Sequence, residues 1–490
     1  MQSHSVAVSP ASERISALAP WLVVALSGLA VLWFLYSYQY LEDDAYIHLE
    51  FARSVAEGRG FAFDGLVANG DTAPLWVLWL VAIHSIGLDW PETAKLACIL
   101  GAVVAVLALW RIAADLTPPQ AGRQRVALAV TALTVLNPFA VHWLFSGMES
   151  LTALGLSVWA IWAVFVAAPS RLGLATAAVL LGVGPLLRPE LLLLAGLAGP
   201  VLLWRTWKHS CGAMPAVRVL AVIALALVVV LPVITWCTYA LHTFGSIIPN
   251  TNAAKRGVSL GQVGERLVLV YAVGFPVALA LLPVLALRAS RPAVVPPGVW
   301  VLLLWPLLCI GFYLADHTLV QTRYCLLSMP CVTTATLWWL AVSGRESLWR
   351  GAIAATVLIS GLLILLTVVP HVANKKAGVQ AFTAMSAYVH EKVPAEEPVA
   401  VYAIGLFAFK SRHPIVDLGG ITQPGAVSYA TGQAGMLLWA KRNHARYFVS
   451  SSPPEPGAVS VFATRVPFLG WTLDTAQYRT LDPLVLYRLP

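Results

Sequence analysis

Residues 17–48, ALAPWLVVALSGLAVLWFLYSYQYLEDDAYIH, decide the fold. The part from 17–38 is apolar and long enough to cross a hydrocarbon core about 30 Å thick. Because this run exceeds the core of a signal peptide, we expect it to stay in the protein as a membrane anchor. Three carboxylates follow directly, those of Glu42, Asp43 and Asp44. The pattern predicts a membrane helix that delivers an acidic loop to one face of the bilayer.

The composition of the whole chain indicates a membrane protein. Of the 490 residues, 59% are hydrophobic and 11% are charged, whereas soluble domains carry about 25% charged residues. Apolar runs recur as far as Val369, and the segment 371–490 is mixed in polarity. The net charge of +8 comes from Lys and Arg clusters between the apolar runs. Such clusters indicate membrane topology, so we expect a lipid bilayer and no nucleic acid as a partner.

Topology depends on the ambiguous apolar segment 72–87. Cytoplasmic loops are enriched in Lys and Arg, and a crossing here would place Arg111, Arg123 and Arg125 outside. We therefore expect this segment to lie along the outer interface. The remaining apolar runs then give eleven predicted spans: 17–38, 95–113, 126–144, 150–168, 173–187, 190–204, 216–238, 265–288, 298–315, 324–343 and 350–369.

The predicted fold is an α-helical polytopic membrane protein with a small C-terminal α/β domain outside the cytoplasm. Its parts are a cytoplasmic tail (1–16), a transmembrane domain (17–370) whose first outer loop is 39–94, and the outer domain (371–490). In the outer domain we expect strands at 398–404, 414–418 and 445–450 and a helix at 433–443, from their apolar patterns.

The predicted topology gathers ionisable residues on the outer face. Besides Asp43 and Asp44, the candidates are polar residues at the outer ends of the spans: Glu149, Arg188, Glu190, Asn250, Lys255, Arg256, His317 and Arg323. Ionisable groups at a membrane boundary are costly and usually functional. Cations are suited to stabilising a departing phosphate, and a carboxylate can accept the proton of an attacking hydroxyl. The set therefore predicts the transfer of a group from a lipid phosphate.

Each candidate also has a structural interpretation. The acidic pair is compatible with a helix cap, and Arg188 and Glu190 with a pair that neutralises itself. Lys255 and Arg256 are suited to lipid head groups. His317 is also compatible with an ordinary interfacial histidine.

Ordered motifs resemble the GT-C superfamily of membrane glycosyltransferases, and most closely its branch of terminal arabinofuranosyltransferases. The branch's Asp-Asp-Ala-aromatic-Ile start is matched at 43–47, and its Leu-Arg-Pro-Glu motif is intact at 187–190. Its Gly-Tyr-Thr-x-Pro-Leu-Trp element is matched at 70–76 with Asp71 in place of the aromatic residue. Its Gly-Ser-Leu-Leu-Pro-Asn-Thr-Phe-Tyr-Ala-Lys element is matched at 245–255 without the two aromatic residues.

The resemblance implies a polyprenyl monophosphate sugar donor and an envelope glycan or glycolipid acceptor at a bacterial plasma membrane. It assigns catalysis to the first carboxylates, with Asp43 ahead of Asp44. Some relatives use a divalent metal, for which Asp43, Asp44 and His317 are the candidate ligands, but we expect no metal and no other cofactor to be required. The competing interpretations are a lipid-linked sugar flippase or transporter and an O-antigen ligase or polymerase. The sequence does not specify the sugar, which arabinofuranose or another pentose or hexose would fit.

Overall fold

The computed structural model describes residues 41–255, 259–275, 294–318, 320–465 and 483–490. The predicted tail 1–16 and first span 17–38 lie outside these residues, as do Arg256 and most of the predicted span 265–288. The described chain is mainly helical, with a mixed β-sheet near its C-terminus.

The first half of the described chain is built from helices and one small hairpin. In chain order the elements are α1 (Asp43–Ala56), β1 (Ala62–Phe63), β2 (Leu66–Val67), α2 (Pro74–His84), α3 (Trp90–Leu116), α4 (Arg123–Val135), α5 (Pro138–Leu144), α6 (Ser150–Ile161), α7 (Arg171–Val183), α8 (Leu191–His209), α9 (Pro215–Phe244) and α10 (Asn250–Lys255).

The second half adds the remaining helices and the larger sheet. These elements are α11 (Leu260–Gly274), α12 (Pro297–Asp316), α13 (Thr322–Leu326), α14 (Met329–Val342), α15 (Glu346–Leu363), α16 (Val369–Lys392), β3 (Val399–Val401), α17 (Ile404–Ser411), β4 (Ile415–Asp417), α18 (Gln433–Arg442), β5 (Tyr447–Ser450), β6 (Val459–Thr464) and β7 (Leu484–Arg488).

Four helices in the described part of the chain are long and apolar enough to cross a membrane. They are α3, α9, α12 and the continuous helix Glu346–Lys392 that contains α15 and α16. Shorter apolar helices, such as α7 and α14, pack among them. The count of eleven spans stays a prediction.

The span predicted at 126–144 is divided into two helices, α4 and α5, which meet at an angle of 63°. The break falls at Asn137-Pro138, where proline lacks a backbone N–H and restricts the residue before it. The Asn137 side chain instead accepts hydrogen bonds from the N–H groups of Phe139 and Ala140 and starts α5.

The segment predicted to lie along the interface contains α2, which has only 11 residues. At 1.5 Å per residue, its length of about 16 Å is roughly half of the hydrocarbon thickness. Pro74 begins the helix. This length favours an interfacial position over a crossing.

The long helix Glu346–Lys392 has 47 residues and a length of about 70 Å. A hydrocarbon core about 30 Å thick covers less than half of that length. The predicted domain boundary at 370/371 therefore falls inside one continuous helix, which links the apolar helices to the C-terminal sheet.

The C-terminal sheet has five strands in the order β4-β3-β5-β7-β6. Strand β3 pairs in parallel with β4 and β5, whereas β7 runs antiparallel to both β5 and β6. The strands β3, β4 and β5 and the helix α18 lie within the segments in which the apolar pattern predicts them, but the first of these segments, 398–404, ends at Ile404, which begins α17. Strands β6 and β7 were not predicted from the sequence.

Hairpin β1–β2 joins the first loop to this sheet. Its turn contains Asp64 and Gly65, both with positive φ, and the Asp64 carboxyl accepts the backbone N–H of Ile415 at 2.8 Å. Nearby, a Cβ added to Gly70 would lie 2.9 Å from the carbonyl oxygen of Ile421. The loop and the sheet are therefore in close contact at two places.

The Asp64 contact predicts a pH-dependent stability. Burial raises the pKa of Asp64 to about 7; Glu50 raises it further, while the Ile415 N–H and Arg53 lower it. A carboxyl with a raised pKa in the folded state stabilises the fold at low pH and loses this contribution as the pH rises through about 7. We expect the thermal midpoint of the purified protein to fall less between pH 5.5 and 8 in Asp64→Asn than in the wild type.

The exposed aspartate variant Asp89→Asn is the control for a general charge effect and should keep the wild-type pH dependence. Identical slopes in Asp64→Asn and the wild type would show that Asp64 does not titrate in this range.

Candidate active site

A cleft of about 840 Å³ lies where α1 meets the loops between the apolar helices. The start of α1, the loop before α2, the turns before α6 and α8, the helices α10 and α13 and the end of α12 all contribute to its walls. Ile421, which follows β4, also lines the cleft. The charged lining residues are Asp44, His48, Asp71, Glu149, Arg188, Glu190, Lys255, Asp316 and Arg323.

Close backbone packing fixes the start of α1 against the turn before α6. The backbone N–H of Glu42 donates to the carbonyl of Ser146 at 3.0 Å. Gly147 has φ +86°, and a Cβ there would lie 2.6 Å from the Cβ of Ala45. Only glycine combines this backbone conformation with such close contact. The contact places the start of α1 beside the turn that carries Glu149.

The two neighbouring aspartates face different partners. Asp44 lines the cleft, and its carboxylate lies 2.7 Å from Arg323 Nη2 and 3.8 Å from Lys255 Nζ. Asp43 lies outside the cleft and accepts the backbone N–H groups of Leu406 at 2.8 Å and Gly405 at 3.2 Å. Successive helical residues are about 100° apart, so neighbours face different directions. Asp43 therefore caps α17 of the C-terminal region.

The environments of the two carboxyls shift their pKa values in opposite directions. Burial raises the pKa of Asp43 to about 6; the N–H groups of Leu406 and Gly405 oppose this rise, and the charge of Asp44 adds to it. Burial also acts to raise the pKa of Asp44, but Lys255 and Arg323 outweigh it and hold the pKa below its usual range. Asp44 is therefore ionised in the cleft.

His48 connects two further carboxylates on one wall of the cleft. Its Nδ1 lies 2.6 Å from Asp71 Oδ2, and its Nε2 lies 3.6 Å from Glu149 Oε2. Burial acts to lower the pKa of His48, but Asp71 and Glu149 raise it to about 10. The imidazole is thus held as a cation, in a fixed orientation.

Arg188 crosslinks the same wall to α12. It donates to Glu149 at 2.8 Å and forms a two-pronged contact with Glu190, with distances of 2.5 and 3.2 Å. The Tyr313 hydroxyl donates to Glu190 Oε1 at 2.9 Å. Burial acts to raise the pKa of Glu149, but the contacts from His48 and Arg188 lower it below its usual range. These charges neutralise one another inside the wall.

Aromatic rings hold the two arginines. The Arg323 guanidinium lies 5.3 Å from the Trp143 ring centroid and 5.4 Å from that of Tyr324. The Arg188 guanidinium lies 4.6 Å from the centroid of the same Tyr324 ring. The indole N–H of Trp143 donates to Thr322 Oγ1 at 2.8 Å, which ties α5 to α13. The positions of both cations are therefore fixed by packing as well as by charge.

The charged side chains of the cleft differ in the fraction that is exposed to solvent. The side chains of Asp44 and Lys255 are 32% and 31% exposed, whereas that of Arg323 is only 4% exposed. Those of Glu149, Arg188 and Glu190 are all below 10%. A bound molecule in the cleft would first meet Asp44 and Lys255.

The structure brings six of the predicted site residues together: Asp44, Glu149, Arg188, Glu190, Lys255 and Arg323. Asp43 and His317 are not among the lining residues, and neither is Asn250, whose backbone N–H donates to the carbonyl of Asn69. Arg256 lies outside the described residues.

Among the other lining residues, His48, Asp71, Asn252 and Tyr313 were not predicted as site residues from the sequence. His48 follows Asp44 by four positions, a spacing that places both side chains on one face of a helix. This spacing could have predicted His48 as a site residue. Asp71 occupies the position of the aromatic residue in the Gly-Tyr-Thr-x-Pro-Leu-Trp element. No comparable signal marks Tyr313, because it lies within an apolar helix.

The three candidate metal ligands at the acidic loop do not converge. Asp43 faces α17, Asp44 is paired with two cations, and His317 is not a lining residue. This arrangement does not fit a divalent ion between those three side chains.

The C-terminal region supports the cleft from one side. Asp417, at the end of β4, accepts the N–H groups of Gly419, Gly420 and Thr422. Asp417 therefore caps the turn that follows β4. This turn leads to Ile421 at the edge of the cleft.

Residues 371–482 match a family model described as a domain of unknown function, DUF8728. A curated relative is the terminal beta-(1->2)-arabinofuranosyltransferase of Mycobacterium tuberculosis, with 29% identity over 252 residues. The match covers 48% of this chain and 38% of the relative's length.

Solved structures are similar over nearly the whole chain. ArnT from Cupriavidus metallidurans bound to undecaprenyl phosphate has a TM-score of 0.57 at 14% identity, with coverage of 96% of this chain and 97% of ArnT. The Archaeoglobus fulgidus oligosaccharyltransferase has a TM-score of 0.51 at 11% identity, with coverage of 89% and 69%. Arabinofuranosyltransferase AftD from Mycobacteria has a TM-score of 0.50 at 13% identity, with coverage of 95% and 41%. The chain therefore shares the fold of these solved structures, whose proteins are GT-C glycosyltransferases.

Proposed function

We propose that this chain transfers a sugar from a polyprenyl-phosphate carrier to an envelope glycan or glycolipid. The reaction takes place on the outer face of a bacterial plasma membrane, and the C-terminal region lies on that side. The observation that carries the proposal is the pairing of an exposed carboxylate, Asp44, with the cations Lys255 and Arg323 in one cleft.

These three side chains match the charges of the reaction. The acceptor hydroxyl oxygen attacks the anomeric carbon, and its proton passes to the Asp44 carboxylate, whose pKa rises as Lys255 and Arg323 turn from it to the departing phosphate. The bond between that carbon and the phosphate oxygen breaks, and the electron pair leaves with the phosphate. Lys255 and Arg323 stabilise this departing charge. In a retaining course, the same carboxylate would act as the nucleophile.

A lipid phosphate also needs a place for its hydrocarbon tail. An apolar groove with an empty volume of about 1080 Å³ runs beside α9, with Phe61 and Leu78 on its other side. Leu186 lines this groove, and Arg188, two residues further on, lines the cleft. We assign the groove to the first isoprene units of the carrier, with the phosphate in the cleft.

The relatives support this substrate class. ArnT has been solved with undecaprenyl phosphate bound, and the curated relative is named as an arabinofuranosyltransferase. Arabinofuranose is thus one candidate sugar. In the cleft, Asn252 replaces an aromatic residue of the motif and donates to Asp316 at 3.4 Å. We infer that this chain recognises its sugar there by hydrogen bonds instead of ring stacking.

In this proposal side chains alone carry out the transfer step, which requires no metal or other cofactor. A monophosphate leaving group carries a charge that two cations can balance. Asp43 then has a different task from Asp44, because its carboxyl holds the start of α17.

The first test separates the two aspartates. Asp44→Asn removes the carboxylate from the cleft, and we expect transfer from a polyprenyl-phosphate donor to fall at least about a hundredfold, as is typical for loss of a catalytic base. Asp43→Asn keeps an oxygen that can accept the N–H groups of Leu406 and Gly405, so its rate should stay within about fivefold of the wild type. Both variants are compared in nanodiscs by initial rates.

Both variants should elute with the wild type in size-exclusion chromatography, which controls for folding. Wild-type transfer by Asp44→Asn would refute the assignment to Asp44. Loss of transfer in Asp43→Asn alone would move the catalytic role to Asp43. Movement of the lipid-linked sugar across the bilayer without carrier cleavage would instead favour the flippase.

The second test concerns the groove. Leu231 lines it and is 50% exposed, so Leu231→Trp should obstruct the tail. We expect the KM for a long-chain donor to rise roughly tenfold, which corresponds to about 1.4 kcal/mol. A donor analogue with one isoprene unit should be little affected.

Leu227, on the same helix and also 50% exposed, does not line the groove, so Leu227→Trp is the matched control. Equal KM values for the two variants would contradict the tail assignment.

A further inference from the structure

Three buried side chains meet behind the acidic loop, outside the cleft. Glu42 precedes α1, His142 lies in α5 and His371 lies in α16. The Glu42 Oε1 atom is 3.5 Å from His142 Nε2 and 3.7 Å from His371 Nε2. Each of the three side chains is at most 7% exposed. None of them lines the cleft.

These distances suit ligands of a common metal ion better than direct hydrogen bonds. A nitrogen–oxygen hydrogen bond spans about 2.7–3.2 Å. Two ligands of a tetrahedral zinc ion, each about 2.0–2.1 Å from the metal, lie about 3.3 Å apart. The three ligand atoms lie within 4.8 Å of one another. A small contraction around a metal would bring them to that spacing.

Two of the three ligand atoms have unused bonding capacity. Glu42 Oε1 and His371 Nε2 have no hydrogen-bond partner among the described residues, although both side chains are more than nine-tenths buried. A buried polar atom without a partner costs free energy, and such atoms need an explanation. A metal ion between them would satisfy both.

Lys375 fixes the orientation of the carboxylate. Its Nζ lies 2.5 Å from Glu42 Oε2, one helical turn beyond His371 on the same face of α16. The lysine therefore holds one carboxylate oxygen, and the other oxygen faces the two imidazoles. Ligating carboxylates are commonly held by a hydrogen bond to their second oxygen.

We propose that Glu42, His142 and His371 bind one divalent transition-metal ion of the zinc class. Two imidazoles and one carboxylate form a common ligand set for zinc, whereas calcium and magnesium prefer all-oxygen sites. Three protein ligands leave a fourth position for water. The site is separate from the transfer step and does not depend on it.

The metal would join three segments that build the cleft. Glu42 is followed by the two aspartates, and His142 is followed by Trp143, whose ring packs on Arg323. His371 belongs to the helix that continues to Lys392 and the C-terminal sheet. The ion would crosslink the first loop, α5 and α16.

Metal content tests the site directly. Wild-type protein is purified through a tag without histidine, in chelator-free buffer, and its metals are measured by mass spectrometry. We expect about one zinc-class ion per chain. After treatment with a chelator, titration with Co²⁺ should give the visible absorption of a tetrahedral site and saturate at one equivalent. Bound Co²⁺ or Zn²⁺ should also raise the thermal midpoint.

The variants Glu42→Gln and His371→Gln should lose the ion and the Co²⁺ absorption. His209→Gln, which changes an exposed histidine at the end of α8, should keep both. Metal retained by His371→Gln would overturn the ligand assignment. A wild-type protein that carries less than a tenth of an equivalent and shows no Co²⁺ absorption would overturn the site itself, whether or not the variants fold.

Discussion

The ion pair between Asp44 and Arg323 is the interaction on which the cleft depends. It joins the first described helix to a short helix almost 280 positions later in the chain. Arg323 is nearly inaccessible and is packed against Trp143 and Tyr324, so its charge needs a partner. Asp44 supplies that partner and is still 32% exposed. The pair therefore fixes a reactive carboxylate beside a buried cation, and Lys255 adds a second cation at the opening.

Neighbouring carboxylates have different roles because a helix turns by about 100° per residue. Asp44 faces the cleft and Asp43 caps α17, whereas Glu42 precedes the helix in an extended conformation and contacts two histidines. One tripeptide thus contacts the cleft, the C-terminal region and the inner helices. The C-terminal region is held against the first loop by Asp43 and by Asp64, and it contributes Ile421 to the cleft. Substitutions in the C-terminal region should therefore alter the geometry of the cleft.

Sequence patterns predicted the GT-C fold and six residues of the cleft, because ordered motifs mark the ends of the apolar helices. They did not predict which aspartate enters the cleft, since this depends on how α1 is rotated when Gly147 packs against Ala45. The Asn137-Pro138 pair is a helix-breaking motif, but the apolar pattern continues across it, and the pattern therefore predicted one straight span. His371 was missed because its partners, Glu42 and His142, are distant in sequence and meet only through folding.

The central claim is that the cleft removes a sugar from a polyprenyl monophosphate. The most direct measurement incubates the purified protein with a panel of polyprenyl-phosphate sugars and an envelope glycan or glycolipid extract, and then identifies the lipid products by mass spectrometry. We expect that one donor loses its sugar, that free polyprenyl monophosphate appears in equal amount, and that the sugar is recovered on an acceptor. Sugar transfer in which the carrier released is a polyprenyl diphosphate, or carriers that all keep their sugars while the protein is folded, would contradict the claim.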